Sequence, residues 1–247
     1  MKKRWIVVEA IWVVGLWILS GCGASDGSVN ESRGPATVSS AQIGDTVVFG
    51  AYEQDNDPVN GKENIEWMVL DQQEGRILVI SRYALDGKSF YGRNTGMSWE
   101  EMTWKNCMLR EWLNDDFLNT AFSDDEQKRI LTVTLTDPTD NVSPSGSSTQ
   151  DKVFLLSVTE AGQYFASQEE RKTVPTKYAA TQRISISQKQ LVDGEGTCDW
   201  WLRTPRIPEK TASVSTTGKI IVDMGGNRPS PDIYNYGVRP ALWISTD

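Results

Sequence analysis

The chain has 247 residues, with 25 lysines and arginines against 33 aspartates and glutamates and no histidine. A formal charge of −8 argues against nucleic acid and anionic headgroups as partners, since both need a basic patch. The missing imidazole excludes Ser-His-Asp and Cys-His catalysis, His-ligated zinc and the iron facial triad.

Lys2, Lys3 and Arg4 open the chain, and an apolar run from Trp5 to Leu19 follows with only Glu9 charged. A basic start, a short apolar middle and the small-residue exit Leu19-Ser20-Gly21 describe a secretory signal peptide over residues 1–21. The run is shorter than the roughly 20 residues that cross a bilayer. Cys22 directly after it makes the segment resemble a bacterial lipoprotein signal. That resemblance implies cleavage before Cys22, lipid on its thiol and new amine, and a cell-membrane location on the extracytoplasmic face. The membrane would then be a partner through the lipid on Cys22. Without residues 1–21, the remaining 226 residues carry 22 basic and 32 acidic side chains, a net charge of −10.

Residues 22–42 read as the lipidated cysteine and a flexible tether, because residues 23–41 are rich in Gly, Ser and Ala without periodicity. A globular domain is expected over 43–247. Thr46 to Phe49 reads as a strand. Ile65, Trp67 and Val69 alternate with polar or flexible neighbours, and Ile77 to Ile80 is apolar, with Gln73-Glu74-Gly75 as the turn between them. The three strands predict an N-terminal β-meander. Leu109, Trp112, Leu113 and Phe117 share one helical face. Ser98/Glu101, Ser123/Glu126, Ser157/Glu160 and Ser167/Glu170 have capping-box spacing at four helix starts. Ile130 to Leu135 reads as a strand, and 137–151 as a Pro/Ser/Thr/Gly-rich loop. Val153 to Leu156 is apolar before the Ser157 cap. Ala212 to Ser215 and Lys219 to Val222 flank Thr216-Thr217-Gly218 as a hairpin, and Ala241 to Ile244 is the last strand. Strands, then helices, then strands predict a single α+β domain.

Three constellations could carry chemistry. Asp55, Asp57 and Asn60 lie in an acidic loop, Glu53 to Glu63, that offers hard oxygen ligands for calcium; the spacing misses the EF-hand pattern, and a polar hairpin loop is the favoured reading. Glu100-Glu101, Asp115-Asp116, Asp124-Asp125 and Glu169-Glu170 are paired carboxylates, most of them placed where helix starts favour negative charge. Trp200-Trp201-Leu202-Arg203-Thr204-Pro205 and Gly237-Val238-Arg239-Pro240-Ala241-Leu242 are the sharpest signatures. Trp200, Trp201, Arg203 and Arg239 are candidates for stacking a sugar or peptide. The favoured alternative places the indoles in the core, one of them facing a surface, and pairs both arginines to carboxylates that hold the C-terminal sheet together. Cys107 and Cys198 are an even pair that could form a disulfide; two buried free thiols are favoured. No cofactor is expected.

The signatures just given resemble a bacterial group, domain-of-unknown-function family 6273. So do Gly44 to Asp55, Ile65 to Asp71, Trp104 to Leu118 and Asp151 to Ser157, so that the resemblance runs over about residues 43–245. The C-terminal pattern is also similar to the C-type-lectin-like fold of formylglycine-generating proteins. This second resemblance implies a fold, without the catalytic cysteine pair or the calcium-site motifs of sugar-binding lectins. Together these readings predict an anchored, non-catalytic domain that binds an extracytoplasmic ligand of unknown identity: glycan, peptide or protein. The alternative is a carboxylate-dependent hydrolase of cell-envelope glycans.

Overall fold

Alternating burial at Ile65, Trp67 and Val69 builds the centre of the first sheet in the computed structural model, which describes residues 34–91, 103–136, 148–206, 210–222 and 235–247. β1 (Thr46–Tyr52), β2 (Glu63–Gln73) and β3 (Arg76–Ser81) form the expected antiparallel meander. Gly75, at φ 72°, closes the turn between β2 and β3 in a left-handed conformation that favours glycine. Packing begins earlier than Ile43. Val38, in a 3-10 turn, and Ala41 are buried, and Ala36 bridges Val47. Cys22 and the signal segment lie outside the described residues.

β4 (Asp86–Lys88) is a short strand with no β-forming residue in it. The expected helix starts at α1 (Met108–Trp112), runs through a π turn at Leu113–Phe117, and ends as α2 (Leu118–Ala121). Leu109, Leu113 and Phe117 are buried, while Trp112 is half-buried. α3 (Asp124–Arg129) starts on the Ser123/Glu126 capping box. β5 (Val133–Leu135) is shorter than the strand expected over 130–135; Ile130 makes only a single bridge, to Ile244. The loop read over 137–151 ends in a strand, β6 (Thr149–Asp151), paired with β5. β7 (Val153–Phe154) precedes α4 (Val158–Tyr164), which carries the Ser157/Glu160 box. α5 (Gln168–Arg171) has the Ser167 cap, but Glu170 reaches back to the Ala166 N–H instead of that of Ser167. The Ser98/Glu101 spacing lies outside the described residues. α6 (Lys177–Thr181) follows, capped by Thr176.

The C-terminal part is β, and it contains one hairpin that the pattern did not announce. β8 (Ile186–Val192) and β9 (Glu195–Cys198) turn through Asp193 and Gly194, both at positive φ. β10 (Trp200–Arg206), β11 (Lys210–Val214) and β12 (Ile220–Ile221) run antiparallel in sequence, so the hairpin at Thr216-Thr217-Gly218 forms. β13 (Tyr236–Val238) lies parallel to β10, and β4 closes that sheet, giving the order β12-β11-β10-β13-β4. The last strand, β14 (Ala241–Ser245), crosses to the first sheet and sits between β3 and β7, giving β1-β2-β3-β14-β7. The first and last strands of the domain thus share one sheet, and apolar side chains of both sheets, of the 108–121 helical stretch and of α4 join one core, beside a small second cluster of Ala84, Ala179, Ile184 and Cys198. The architecture is α+β in a single compact unit from Arg33 onward.

A candidate binding pocket

Trp200 and Trp201 point to opposite faces of β10, as neighbours on a strand must. Both are nevertheless buried, because protein covers the second sheet on each side. Trp200 meets Phe165 edge-on and donates Nε1–H to the Arg171 carbonyl at 3.0 Å. Trp201 stacks on Tyr236 and donates to the Lys88 carbonyl at 2.8 Å. Neither indole reaches a surface, which corrects that part of the expectation.

Arg203 is buried and grips Glu160 with both terminal nitrogens, while Nη1 also donates to the Leu155 carbonyl. Glu160 takes the Ser157 N–H at 2.7 Å as well, so one carboxylate ties a helix cap to a core strand. Arg239 differs from the expectation. Its Nε donates to the Ser81 carbonyl at 2.7 Å and its Nη2 approaches the Met68 sulfur, with no carboxylate in contact among the described residues. The guanidinium lies over Trp200 and Phe165, at 5.2 and 5.4 Å from their centroids. Arg239, between β13 and β14, therefore ties β3 of the first sheet, through the Ser81 carbonyl, to Trp200 of β10 and to Phe165, through their ring faces. Burial pushes its pKa down to about 10, which leaves it charged at neutral pH.

Cys107 and Cys198 are free and buried. Burial pushes both thiols up to about 12. Cys107 caps α1: its sulfur accepts the Arg110 N–H.

In the acidic loop the three metal candidates bond within the loop itself, Asp55 and Asp57 through their oxygens and Asn60 through its amide N–H. Asp55 accepts the Asp57 N–H at 2.9 Å and the Asn60 amide at 2.8 Å; Asp57 accepts the Val59 N–H. The Asn60 amide, then the Asp57 N–H, hold Asp55 below the usual carboxylate range. The carboxylates that do converge are Glu53, Asp55 and Glu63, whose oxygens lie within 4.8 Å of one another. Asp57 and Asn60 are not in that group. Glu63 also accepts the Gln54 and Asp55 N–H groups, so it closes the hairpin loop. The candidate set left out Glu53 and Glu63, the two ends of the loop, because only folding the hairpin brings its ends together.

A cavity of about 340 Å³ opens between Lys88-Ser89 and the helical stretch beginning at Met108. Its lining is Met108, Leu109, Glu111, Trp112, Asp115 and Asp116 on one side and Lys88 and Ser89 on the other. The Lys88 Nζ sits 4.6 Å from the Trp112 ring centroid and 3.2 Å from Asp86 Oδ2. Asp86 is fully buried and also accepts the Tyr52 hydroxyl at 2.8 Å. Burial and then the Asp86 charge drive the Tyr52 hydroxyl far above its ordinary pKa, so it stays a donor. On the helix's other flank, Arg110 is paired with buried Asp151 at 2.6 Å, and Asp151 also takes the Trp104 Nε1–H and the Thr149 hydroxyl. Both walls are thus fixed by buried, hydrogen-bonded carboxylates.

Asp115-Asp116 is the acid pair that coincides with none of the four capping-box starts. It lies in the π turn well inside the helical stretch, where no cap or exposed N–H accounts for it. π turns inside helices recur at functional sites. The legible signal was an acid pair, uncapped, beside a tryptophan at the rim of the apolar stripe. Asp124-Asp125 and Glu169-Glu170 do sit in first turns, as expected. Glu100-Glu101 lies outside the described residues.

The family model of DUF6273, a domain of unknown function, matches residues 74–246, from the β2–β3 turn through β14. The chain belongs to the DUF6273 family. The match begins later than the resemblance over 43–245, so the motifs Gly44 to Asp55 and Ile65 to Asp71 precede it. Both walls of the pocket fall within the DUF6273 region, as do Trp200, Arg203 and Arg239. No curated protein and no solved structure matches the chain. Because the DUF6273 domain has no described function, its membership assigns no role to any of these residues.

Proposed function

We propose that this is a lipid-anchored extracytoplasmic lipoprotein whose DUF6273 domain holds a ligand in the Trp112 pocket and catalyses no reaction. The pocket carries the binding half of the proposal: it pairs a half-buried indole and an accessible thioether with polar groups, on walls held rigid from behind. The anchoring half rests on the basic start, the apolar run and Leu19-Ser20-Gly21-Cys22. Two or more acyl chains hold a protein stably on a membrane. We also read the fold as C-type-lectin-like, supported by the first and last strands sharing one sheet beside a second, mainly C-terminal sheet. A fold of that kind names no ligand.

The rival reading, a carboxylate-dependent hydrolase of envelope glycans, would draw on the carboxylates that line the pocket, Glu111, Asp115 and Asp116. Glycoside hydrolysis needs two carboxyls facing each other across the scissile bond. Glu111, Asp115 and Asp116 all come from one helical stretch, and the facing wall supplies Lys88 and Ser89.

Detergent phase partitioning tests the anchor. Wild type should enter the detergent phase and Cys22→Ala should not; equal partitioning contradicts a lipid. Glycan and peptide arrays probed with the full chain test the pocket. Binding should be lost in Trp112→Leu while the melting temperature stays close to wild type; retained binding contradicts the site.

A further inference from the structure

We infer that the Trp112 pocket takes a cation at the end of an alkyl chain, an alkylammonium such as a lysine side chain or a free diamine carries. The inference rests on the binding reading above. Charge is the first argument. Lys88 is the cation on the lining, and buried Asp86 compensates it at 3.2 Å. With that pair cancelled, Glu111, Asp115 and Asp116 leave the cavity strongly negative. Among the described residues the Glu111 and Asp116 carboxylates have no hydrogen-bond or ion-pair partner, and the Asp115 carboxylate accepts only the neutral Asn119 amide at 3.0 Å. An anionic ligand would enter against three carboxylates, and a neutral one would leave their charge uncompensated.

Shape is the second argument. Met108, 54% exposed, lies with Leu109 and the Trp112 ring along the cavity, and they offer apolar surface to a methylene chain. Lys88 already demonstrates the fit, because its own ammonium rests over the Trp112 ring. A volume of about 340 Å³ suits one small ligand or one long side chain. The net charge of −8 adds a long-range attraction for cations that salt screens.

Calorimetry of the full chain in detergent tests this with 1,5-diaminopentane, the tripeptide Gly-Lys-Gly, the neutral 1-pentanol and the dianion glutarate. At least one of the two amines should bind, and pentanol and glutarate should give no heat. Tighter binding of Gly-Lys-Gly assigns a peptide source and tighter binding of the diamine a free amine. The double variant Glu111→Gln/Asp116→Asn should weaken amine binding by about tenfold or more without moving the melting temperature. Amine binding unchanged in that variant overturns the inference, as does silence from both amines while an array ligand still depends on Trp112. An array ligand that survives Trp112→Leu overturns the pocket reading itself, which keeps the two failures distinct.

Discussion

Trp200 and Trp201 lie on a strand with protein on both faces, whereas Trp112 lies on a helix with protein on one. In sequence the first pair is conspicuous, flanked by an arginine and a proline, and the third is one apolar residue in a helical stripe. In the fold the order of interest reverses. The β10 indoles spend their N–H groups on backbone carbonyls and their faces on Phe165, Phe90 and Tyr236. Trp112 leaves part of its ring at a cavity with three carboxylates beside it. What separates the two regions is the number of layers packed on them, which residue type does not report.

The largest effect should come from cutting the buried pair in the β10 region. Arg203→Ala strands Glu160 beside the core and loosens the α4 cap, at a cost of about 3–5 kcal/mol. Thermal unfolding should then fall by about 10 °C. A variant that melts with wild type would place Arg203 outside the framework and reopen it as a ligand residue.

One thiol reports on each region, since Cys107 caps the pocket helix and Cys198 ends β9 just before β10. Both are pushed up to about 12 in the folded chain, against about 8.5–9 in an unfolded one. Below the unfolded value both states hold the proton and stability is unaffected. Above it the unfolded chain ionises first, so stability is lost as pH rises toward the folded value. The loss should reach roughly 1.4 kcal/mol per thiol at pH 10. Melting temperature against pH should be flatter between pH 9 and 11 in Cys107→Ala/Cys198→Ala; parallel curves would mean that the thiols already ionise in the fold.

Arg239→Met should have the smallest effect, about 1 kcal/mol, because its removal strands no carboxylate and methionine keeps an apolar chain against Trp200 and Phe165. A loss as large as that of Arg203→Ala would show that its charge is required, and would separate the two arginines less than their contacts do.

The meander was legible because Ile65, Trp67 and Val69 alternate over several residues, and the caps at Ser123 and Ser157 because two side chains at fixed spacing satisfy each other's backbone donors. The destination of β14 was not, since a strand's apolar run does not encode its neighbour; its place between β3 and β7 is set by long-range packing. β4 was invisible because Asp86, Gly87 and Lys88 have no strand propensity, and tertiary pairing with Tyr236 to Val238 overrides that. The pocket was half legible. Trp112 was legible on the apolar face and Asp115-Asp116 as an acid pair off the capping-box starts, but the capping that explains the other pairs was extended to it, and the π turn beside the cavity shows that capping does not apply there.

The most direct measurement follows the tryptophans themselves. The full chain labelled with 5-fluorotryptophan, its fluorine resonances assigned by single Trp→Phe replacements, can be titrated with 1,5-diaminopentane. The account predicts that the Trp112 resonance moves in a saturable way while those of Trp200 and Trp201 stay fixed. Movement of Trp200 or Trp201 with a silent Trp112 would contradict it, and would return the site to the signature on β10.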